Sequence, residues 1–160
     1  MLRTLLPPWL HRRLLARLQP LRLRLWGLLR REVEGIMVLA FDDAGRLVVV
    51  RHSYHLPDQW LVPGGGRNPS EDPVAAAARE LAEETGFVLG DVRHIGQVRR
   101  KMRGGWVNRI ELVTGRADGS PRIDGREIIA IARFAPDDLP PETSAAVHEY
   151  LNLLHVSERQ

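Results

Sequence analysis

One amphipathic helix, marked at both ends, is the strongest constraint in this sequence. In the stretch DPVAAAARELAEETG, Asp72 stands where a helix N-cap is expected, and Pro73 takes the first helical position, where its missing N–H costs nothing. Gly86 supplies the stop signal. Apolar residues recur between these ends at helical spacing: Val74, Ala77, Ala78 and Leu81. The pattern predicts a helix over residues 73–85 whose alanines allow it to lie close to a sheet.

The same helix carries a crowd of negative charge. Glu80, Glu83 and Glu84 stand at i, i+3 and i+4, so they share one face. Each like-charge pair costs about 0.2–0.5 kcal/mol, and a carboxylate near the C-terminal end of a helix adds about 0.3–1 kcal/mol. Arg79 can pair with Glu83 one turn on, but one arginine cannot neutralise three glutamates. The cost indicates that something outside the helix compensates the charge.

A hard divalent cation provides such compensation. Carboxylate oxygens are the ligands that Mg²⁺ or Mn²⁺ prefers. The chain has no cysteine, which excludes disulfides, thiolate metal sites and cysteine nucleophiles and favours a reducing compartment. Taken alone, the glutamates are also consistent with a solvated acidic face.

Strand patterns dominate the rest of the chain. Runs rich in β-branched residues predict strands over residues 36–41, 46–54, 59–62, 92–102, 107–116 and 126–134. Glycines 64–66 predict a turn or loop. Residues 142–155 predict a closing helix with an apolar face formed by Val147, Tyr150, Leu151 and Leu154. The predicted class is α+β, with a mixed sheet packed between helices.

The charge of the chain is divided unevenly. Residues 1–31 contain eight arginines and no acid, whereas residues 32–160 contain 15 basic and 20 acidic residues. The division predicts a basic amphipathic N-terminal extension over residues 1–31 and one domain over residues 32–160. A nucleic-acid-binding domain usually spreads its basic residues over the fold, so no nucleic-acid partner is expected.

The N-terminal extension has more than one interpretation. Arginine recurs every few residues among its leucines, which argues against a signal peptide and against a transmembrane helix. One interpretation is a basic amphipathic surface that binds acidic lipid or a partner. The other is a helical appendage that covers one side of the domain or mediates self-association, as in a homodimer. A cytoplasmic location is expected, with or without peripheral attachment to a membrane.

Residues 65–87 resemble the Nudix box, the signature of Nudix hydrolases. The pattern is Gly, five residues, Glu, seven residues, Arg-Glu, an apolar residue, any residue, Glu-Glu, any residue, Gly and an apolar residue. The chain fills these places with Gly65, Glu71, Arg79, Glu80, Leu81, Glu83, Glu84, Gly86 and Phe87. Every fixed position and both gaps match. The strand order around the box is similar to the family's α/β/α sandwich, so the resemblance spans about residues 35–155.

The resemblance implies a site and an activity. Nudix hydrolases cleave a diphosphate linked to another group, usually in a nucleoside diphosphate derivative, with Mg²⁺ or Mn²⁺. By position, the metal ligands would be Glu80, Glu83, Glu84 and the carbonyl of Gly65. Glu71 would orient the site, and Arg79 would hold a glutamate by a salt bridge. The identity of the general base stays open between Glu127, which opens the last predicted strand, and Glu83 or Glu84.

Two further residues are candidates for substrate binding. Arg51, near the end of the second predicted strand, is a phosphate contact by its family position. Trp106, beside the basic stretch RRKMRGG, is a candidate platform for a base. A basic hairpin tip in solvent is the alternative interpretation of this stretch.

The sequence leaves the substrate at the level of a nucleoside diphosphate or triphosphate derivative. Residues 87–120 contain neither the proline typical of ADP-ribose hydrolases nor the tyrosine typical of dinucleoside-polyphosphate hydrolases. Two other functions remain in consideration: a Nudix-fold module that senses a nucleotide without turnover, and a membrane-peripheral hydrolase of a lipid-linked diphosphate. The complete set of glutamates favours the enzyme over the sensor.

Overall fold

The computed structural model describes residues 32–53, 56–102, 105–123 and 127–159. In chain order its elements are β1 (Glu32–Phe41), β2 (Leu47–His52), β3 (Gly64–Gly66), α1 (Pro73–Thr85), β4 (Val88–Lys101), β5 (Val107–Asp118), β6 (Ile128–Phe134) and α2 (Ala145–Ser157). The N-terminal extension lies outside these residues. Its helical character, membrane contact and role in self-association therefore stay predictions, as does the cytoplasmic location.

β1 is the central strand of a six-stranded mixed sheet. The strand order is β4-β5-β1-β2-β6, and β3 pairs with β1 outside this path. β1 runs parallel to β5 from Glu32 opposite Val107 to Phe41 opposite Arg116, whereas the other strand pairs are antiparallel. β5 occupies one edge of β1. The other edge of β1 pairs with both β3 and β2.

Both faces of the sheet are covered by helices, which confirms the predicted sheet between helices. Side chains on one face of the sheet pack against α1, and they include Ile36, Val38, Val48 and Val113. They alternate along the strands with the side chains of the opposite face. Against α2 lie Leu39, Leu47, Val49 and Leu112. The run LVVV in β2 is buried throughout because its successive side chains enter two different cores. The core therefore consists of two apolar layers, one on each side of β1.

Helix α1 has the bounds and caps that the sequence predicts. The Asp72 side chain accepts hydrogen bonds from the N–H groups of Val74 and Ala75, each at 3.0 Å. Gly86 adopts a left-handed φ of 76° and donates its N–H to the carbonyl of Ala82. The buried inner face of the helix consists of small side chains and one leucine: Ala76, Ala77 and Leu81. The glutamates of the last turns are thereby held at a fixed height above the sheet.

Several predicted boundaries were wrong. Glycines 64–66 form a strand rather than a turn, because their backbone pairs with residues 35–37 of β1. Residues 59–62 make only isolated bridges, from Leu61 to Val50 and from Trp60 to Thr143. β4 begins before residue 92, since Val88 already pairs with Asp118.

The closing helix also begins later than predicted. The backbone of residues 142–144 is engaged by Trp60, which donates to Glu142 O and accepts from the N–H of Ser144, each at 3.0 Å. These bonds hold the segment extended, so α2 begins at Ala145. Among the helices that the structure describes, none has the length and apolar character needed to cross a membrane.

The packing of α2 can be tested with two neighbouring leucines. Leu154 is 5% exposed and packs on the sheet, whereas Leu153 is 38% exposed. We expect Leu154→Ala to lower the free energy of unfolding by about 2–5 kcal/mol, because the truncation leaves a cavity. Leu153→Ala, with the same change of helix propensity, should cost about 1 kcal/mol or less. Urea denaturation measures both, and equal losses would contradict the placement of the helix.

Candidate metal and catalytic site

Arg79 is the centre of a network of ion pairs on α1. Its Nε and Nη2 donate to the two carboxylate oxygens of Glu71 at 3.0 and 3.1 Å, and Nη2 also donates to the carbonyl of Gly66 at 3.2 Å. Its Nη1 donates to Glu80 Oε1 at 2.7 Å and lies 4.0 Å from Glu83 Oε2. The hydrogen bonds from Arg79 lower the pKa of Glu71. One guanidinium thus connects the loop before α1 with the glutamates on it.

Glu84 is the most deeply buried acid of the site. Its Oε2 accepts a hydrogen bond from the N–H of Gly64 at 3.1 Å, and its Oε1 lies 3.8 Å from Nε2 of His52. Burial, together with the negative charges of Glu80, Glu127 and Glu83, raises the pKa of Glu84 to about 8 against the opposing hydrogen bond from Gly64. The ionised carboxylate of Glu84 is therefore disfavoured first by its burial and second by the neighbouring negative charges.

The structure brings Glu127 to the same cluster. Its charge raises the pKa values of both Glu80 and Glu84, as does that of Glu83. The carbonyl of Glu127 accepts a hydrogen bond from the N–H of Ser53, which fixes the start of β6 beside the end of β2. Glu80, Glu83, Glu84 and Glu127 therefore form one group, which we call the carboxylate cluster. Which member acts as a base stays a prediction.

Gly65 forms the floor beneath Glu80. A Cβ placed on Gly65 would lie 2.6 Å from Glu80 Oε2 and 2.7 Å from Oε1, inside van der Waals contact. Only glycine leaves the carboxylate its place against β3. The donors gathered here are oxygens, in a crowded and partly buried group of negative charges. This donor set fits Mg²⁺ or Mn²⁺ and would not suit a soft metal.

Two carboxylates of the cluster accept hydrogen bonds from protein donors. Among the described residues, no three histidine or acidic side chains converge in the geometry of a formed metal site. Glu80 is engaged by Arg79, and Glu84 by the N–H of Gly64. Binding of a cation would therefore exchange some of these partners for the metal.

The two predicted substrate contacts, Arg51 and Trp106, both pack against or within the fold. The Arg51 guanidinium stacks over Trp60, with Cζ 4.4 Å from the ring centroid, and Trp60 packs edge-on against Phe134 in the core under α2. Trp106 is only 6% exposed, so its ring is not displayed to solvent as a platform. Binding of substrate by Arg51 or Trp106 stays a prediction.

Sequence reasoning missed several charged or titratable residues of the sheet and of the loop after β3. His52 lies beside Glu84, and Arg67 lies between Glu34 and Glu111. Glu111 is 8% exposed on β5 and accepts hydrogen bonds from Gln97 and His94. A charged residue inside a strand, such as Glu111 in β5, could have indicated such a site. The face of the sheet on which this residue lies is known only from the strand register.

The architecture matches solved structures of Nudix proteins. A MutT NUDIX hydrolase from Burkholderia pseudomallei superposes with a TM-score of 0.67, at 24% identity over 77% of this chain and 98% of that one. A MutT protein from Methanosarcina mazei Go1 gives 0.66, at 20% identity over 81% and 97%. These similarities define the class of fold: an α/β/α sandwich of the Nudix type.

The sequence comparison then gives the family. The family model described as NUDIX domain matches residues 31–154, and the chain belongs to the Nudix family. A further similarity is to diphosphoinositol polyphosphate phosphohydrolase 2 from Rattus norvegicus, at 56% identity over 39 residues. That match covers 24% of this chain and 22% of the relative's length.

The floor beneath Glu80 generates a prediction with a matched control. Gly65→Ala should displace the Glu80 carboxylate and weaken Mn²⁺ binding by about 10-fold or more, in the range seen for disturbed metal-ligand positions. Gly66→Ala should leave Mn²⁺ binding unchanged, because a Cβ there meets nothing within 4 Å. Electron paramagnetic resonance of free Mn²⁺ measures both. Equal affinities in the two variants would show that Glu80 is not a ligand.

The raised pKa of Glu84 generates a second prediction. The folded state binds this proton more tightly than the unfolded chain, so the free energy of unfolding should fall as pH rises from the ordinary carboxyl range to about 8. Glu84→Gln removes this slope. One pKa unit corresponds to about 1.4 kcal/mol. In EDTA, the free energy of unfolding of Glu84→Gln relative to that of wild type should therefore rise by roughly 2 kcal/mol or more between about pH 5 and about pH 8.

Urea denaturation at the two pH values measures the effect. Glu158→Gln, beyond the end of α2 and outside the carboxylate cluster, is the control for loss of an acid as such. A Glu84→Gln variant whose stability keeps the wild-type pH slope would contradict the burial of a strained acid at this position.

Proposed function

We propose that the protein is a metal-dependent pyrophosphohydrolase that cleaves the diphosphate linkage of a nucleoside diphosphate or triphosphate derivative. The observation that carries the proposal is the carboxylate cluster around Glu84, held against β3 by the N–H of Gly64. Such a cluster is unstable by itself and becomes favourable when a cation and an anionic substrate enter. Membership of the Nudix family supports the same activity.

The residues of the chain take distinct roles in this proposal. Glu80, Glu83, Glu84 and the carbonyl of Gly65 would hold Mg²⁺ or Mn²⁺. A bound divalent cation neutralises charge on the diphosphate and makes water a better nucleophile. Arg79 keeps Glu80 and Glu71 in place through its hydrogen bonds. Glu127, Glu83 and Glu84 are the candidates for accepting the proton of the attacking water.

A panel of substrates tests the proposal with the full chain. We expect phosphate or nucleotide release from one class among nucleoside triphosphates, nucleotide sugars, ADP-ribose and dinucleoside polyphosphates, with Mg²⁺ or Mn²⁺ and not with EDTA. Glu84→Gln should reduce turnover by about 100-fold or more, because it removes a carboxylate oxygen from the metal site. Glu158→Gln is the matched control, since Glu158 pairs with Arg93 far from the cluster.

Three results would contradict the proposal. One is turnover that survives EDTA, and another is a folded Glu84→Gln variant with wild-type activity. The third is silence across the panel from a protein that binds the metal, which would favour a nucleotide sensor or a lipid-linked substrate.

A second substrate class has a specific observation in its favour. The similar segment of the Rattus norvegicus protein belongs to a diphosphoinositol polyphosphate phosphohydrolase. The paired strands β4 and β5 carry several cations near their connection: Arg99, Arg100, Lys101 and Arg109. The three arginines pair with acids in the structure, so a polyphosphate would have to displace those acids. A substrate with many phosphates needs many such cations. Adding a diphosphoinositol polyphosphate to the panel distinguishes this class, and preference for any nucleotide at equal concentration would reject it.

A further inference from the structure

Arg67 is buried between two acidic side chains of the sheet. It directly follows β3, and only 9% of its side chain is exposed. Its Nη2 contacts Glu34 of β1 and lies 3.9 Å from Glu111 Oε1 of β5. These two carboxylates are themselves only 12% and 10% exposed. One half of the guanidinium is therefore anchored to the middle of the sheet.

The other half of the guanidinium faces the loop that leads into α1. Nη1 donates to the carbonyl of Glu71 at 2.6 Å, and it lies 3.4 and 3.5 Å from the carbonyls of Asn68 and Pro69. The backbone N–H of Arg67 donates to the carbonyl of Glu34 at 3.1 Å. Residues 68–71 therefore fold around the Arg67 side chain, with their carbonyls turned toward it.

A continuous chain of contacts leads from this loop to the carboxylate cluster. The Glu71 backbone is held by Arg67, and the Glu71 side chain accepts two hydrogen bonds from Arg79. Arg79 in turn donates to Glu80. We propose that Arg67 is a positioning residue for the metal site, which holds Glu71 and Arg79 so that Glu80 keeps its place over β3. The inference rests on the proposed metal-dependent function. Arg67 occupies a place in the Nudix box where the pattern allows any residue.

Positioning differs from simple neutralisation of Glu34 and Glu111. The planar guanidinium spans the distance between the sheet carboxylates and the loop carbonyls, with donors directed to both. A lysine at the same place would keep a positive charge near Glu34 and Glu111, but its compact ammonium group cannot reach both sets of acceptors together. Arg67→Lys therefore separates the two roles, and Arg67→Met removes both.

The test measures Mn²⁺ affinity of the full chain without substrate, by electron paramagnetic resonance, together with thermal denaturation. We expect Arg67→Met to weaken Mn²⁺ binding by about 10-fold, as for loss of a group that orients a metal ligand. Arg67→Lys should lose a large part of the same Mn²⁺ affinity, but its thermal stability should be higher than that of Arg67→Met. The control Arg46→Met removes the nearer of two arginine partners from a largely buried acid, Asp42, at the turn between β1 and β2, where Arg133 Nη1 remains 3.8 Å away. It should lower stability and leave Mn²⁺ affinity unchanged.

The outcomes separate this inference from the proposed function. Wild-type Mn²⁺ affinity in Arg67→Met would overturn it, and so would full restoration of affinity by Arg67→Lys. If Arg67→Met does not fold, Arg67→Lys decides alone. A wild-type protein that binds Mn²⁺ but cleaves no substrate on the panel would reject the proposed activity and leave the positioning test valid. Equal losses of Mn²⁺ affinity in Arg46→Met and Arg67→Met would mean that lower stability alone weakens Mn²⁺ binding. That result would also overturn the inference.

Discussion

The site depends on the way in which one arginine holds several acids together. Arg79 bonds to Glu71, to Glu80 and to the carbonyl of Gly66, and so joins α1, the preceding loop and β3. Without it, the acids of the helix would repel one another and turn to solvent. Because Ala76 and Ala77 fix the helix closely on the sheet, the remaining repulsion cannot be relieved by moving the backbone. Burial of the Glu84 carboxyl group and this repulsion together raise its pKa.

The sheet contributes as much to this arrangement as the helix. β3 lies against β1 and places Gly65 beneath Glu80 and the N–H of Gly64 beside Glu84. The parallel pairing of β1 with β5 brings Glu111 to the same side of the sheet as Glu34, where Arg67 contacts both. Polar side chains thus line the α1 face of the sheet at β3, β1 and β5. The core under α2 is apolar and includes more partly buried hydrophobic side chains than the core under α1.

Much of the fold followed from local patterns. The bounds of α1 were predicted because its caps and its proline act within a few residues. The apolar face of α2 was predicted because burial of Val147, Tyr150, Leu151 and Leu154 follows the helical period. Glycines 64–66 were assigned to a turn because glycine favours turns by propensity, whereas their pairing with β1 is a long-range contact. Trp106 was taken for a surface platform, yet burial of a ring depends on neighbours distant in sequence.

The sequence by itself determined the family, the capped helix and the identity of the acids, because each depends on residues at fixed, short spacings along the chain. It also determined that these acids need a compensating charge. The tertiary structure decided which groups meet them: the floor at Gly65, the approach of Glu127 and His52, and the anchoring of Arg67 between Glu34 and Glu111. The physical reason is that spacing along one helix fixes which side chains share a face, whereas strand order and register fix what that face encounters.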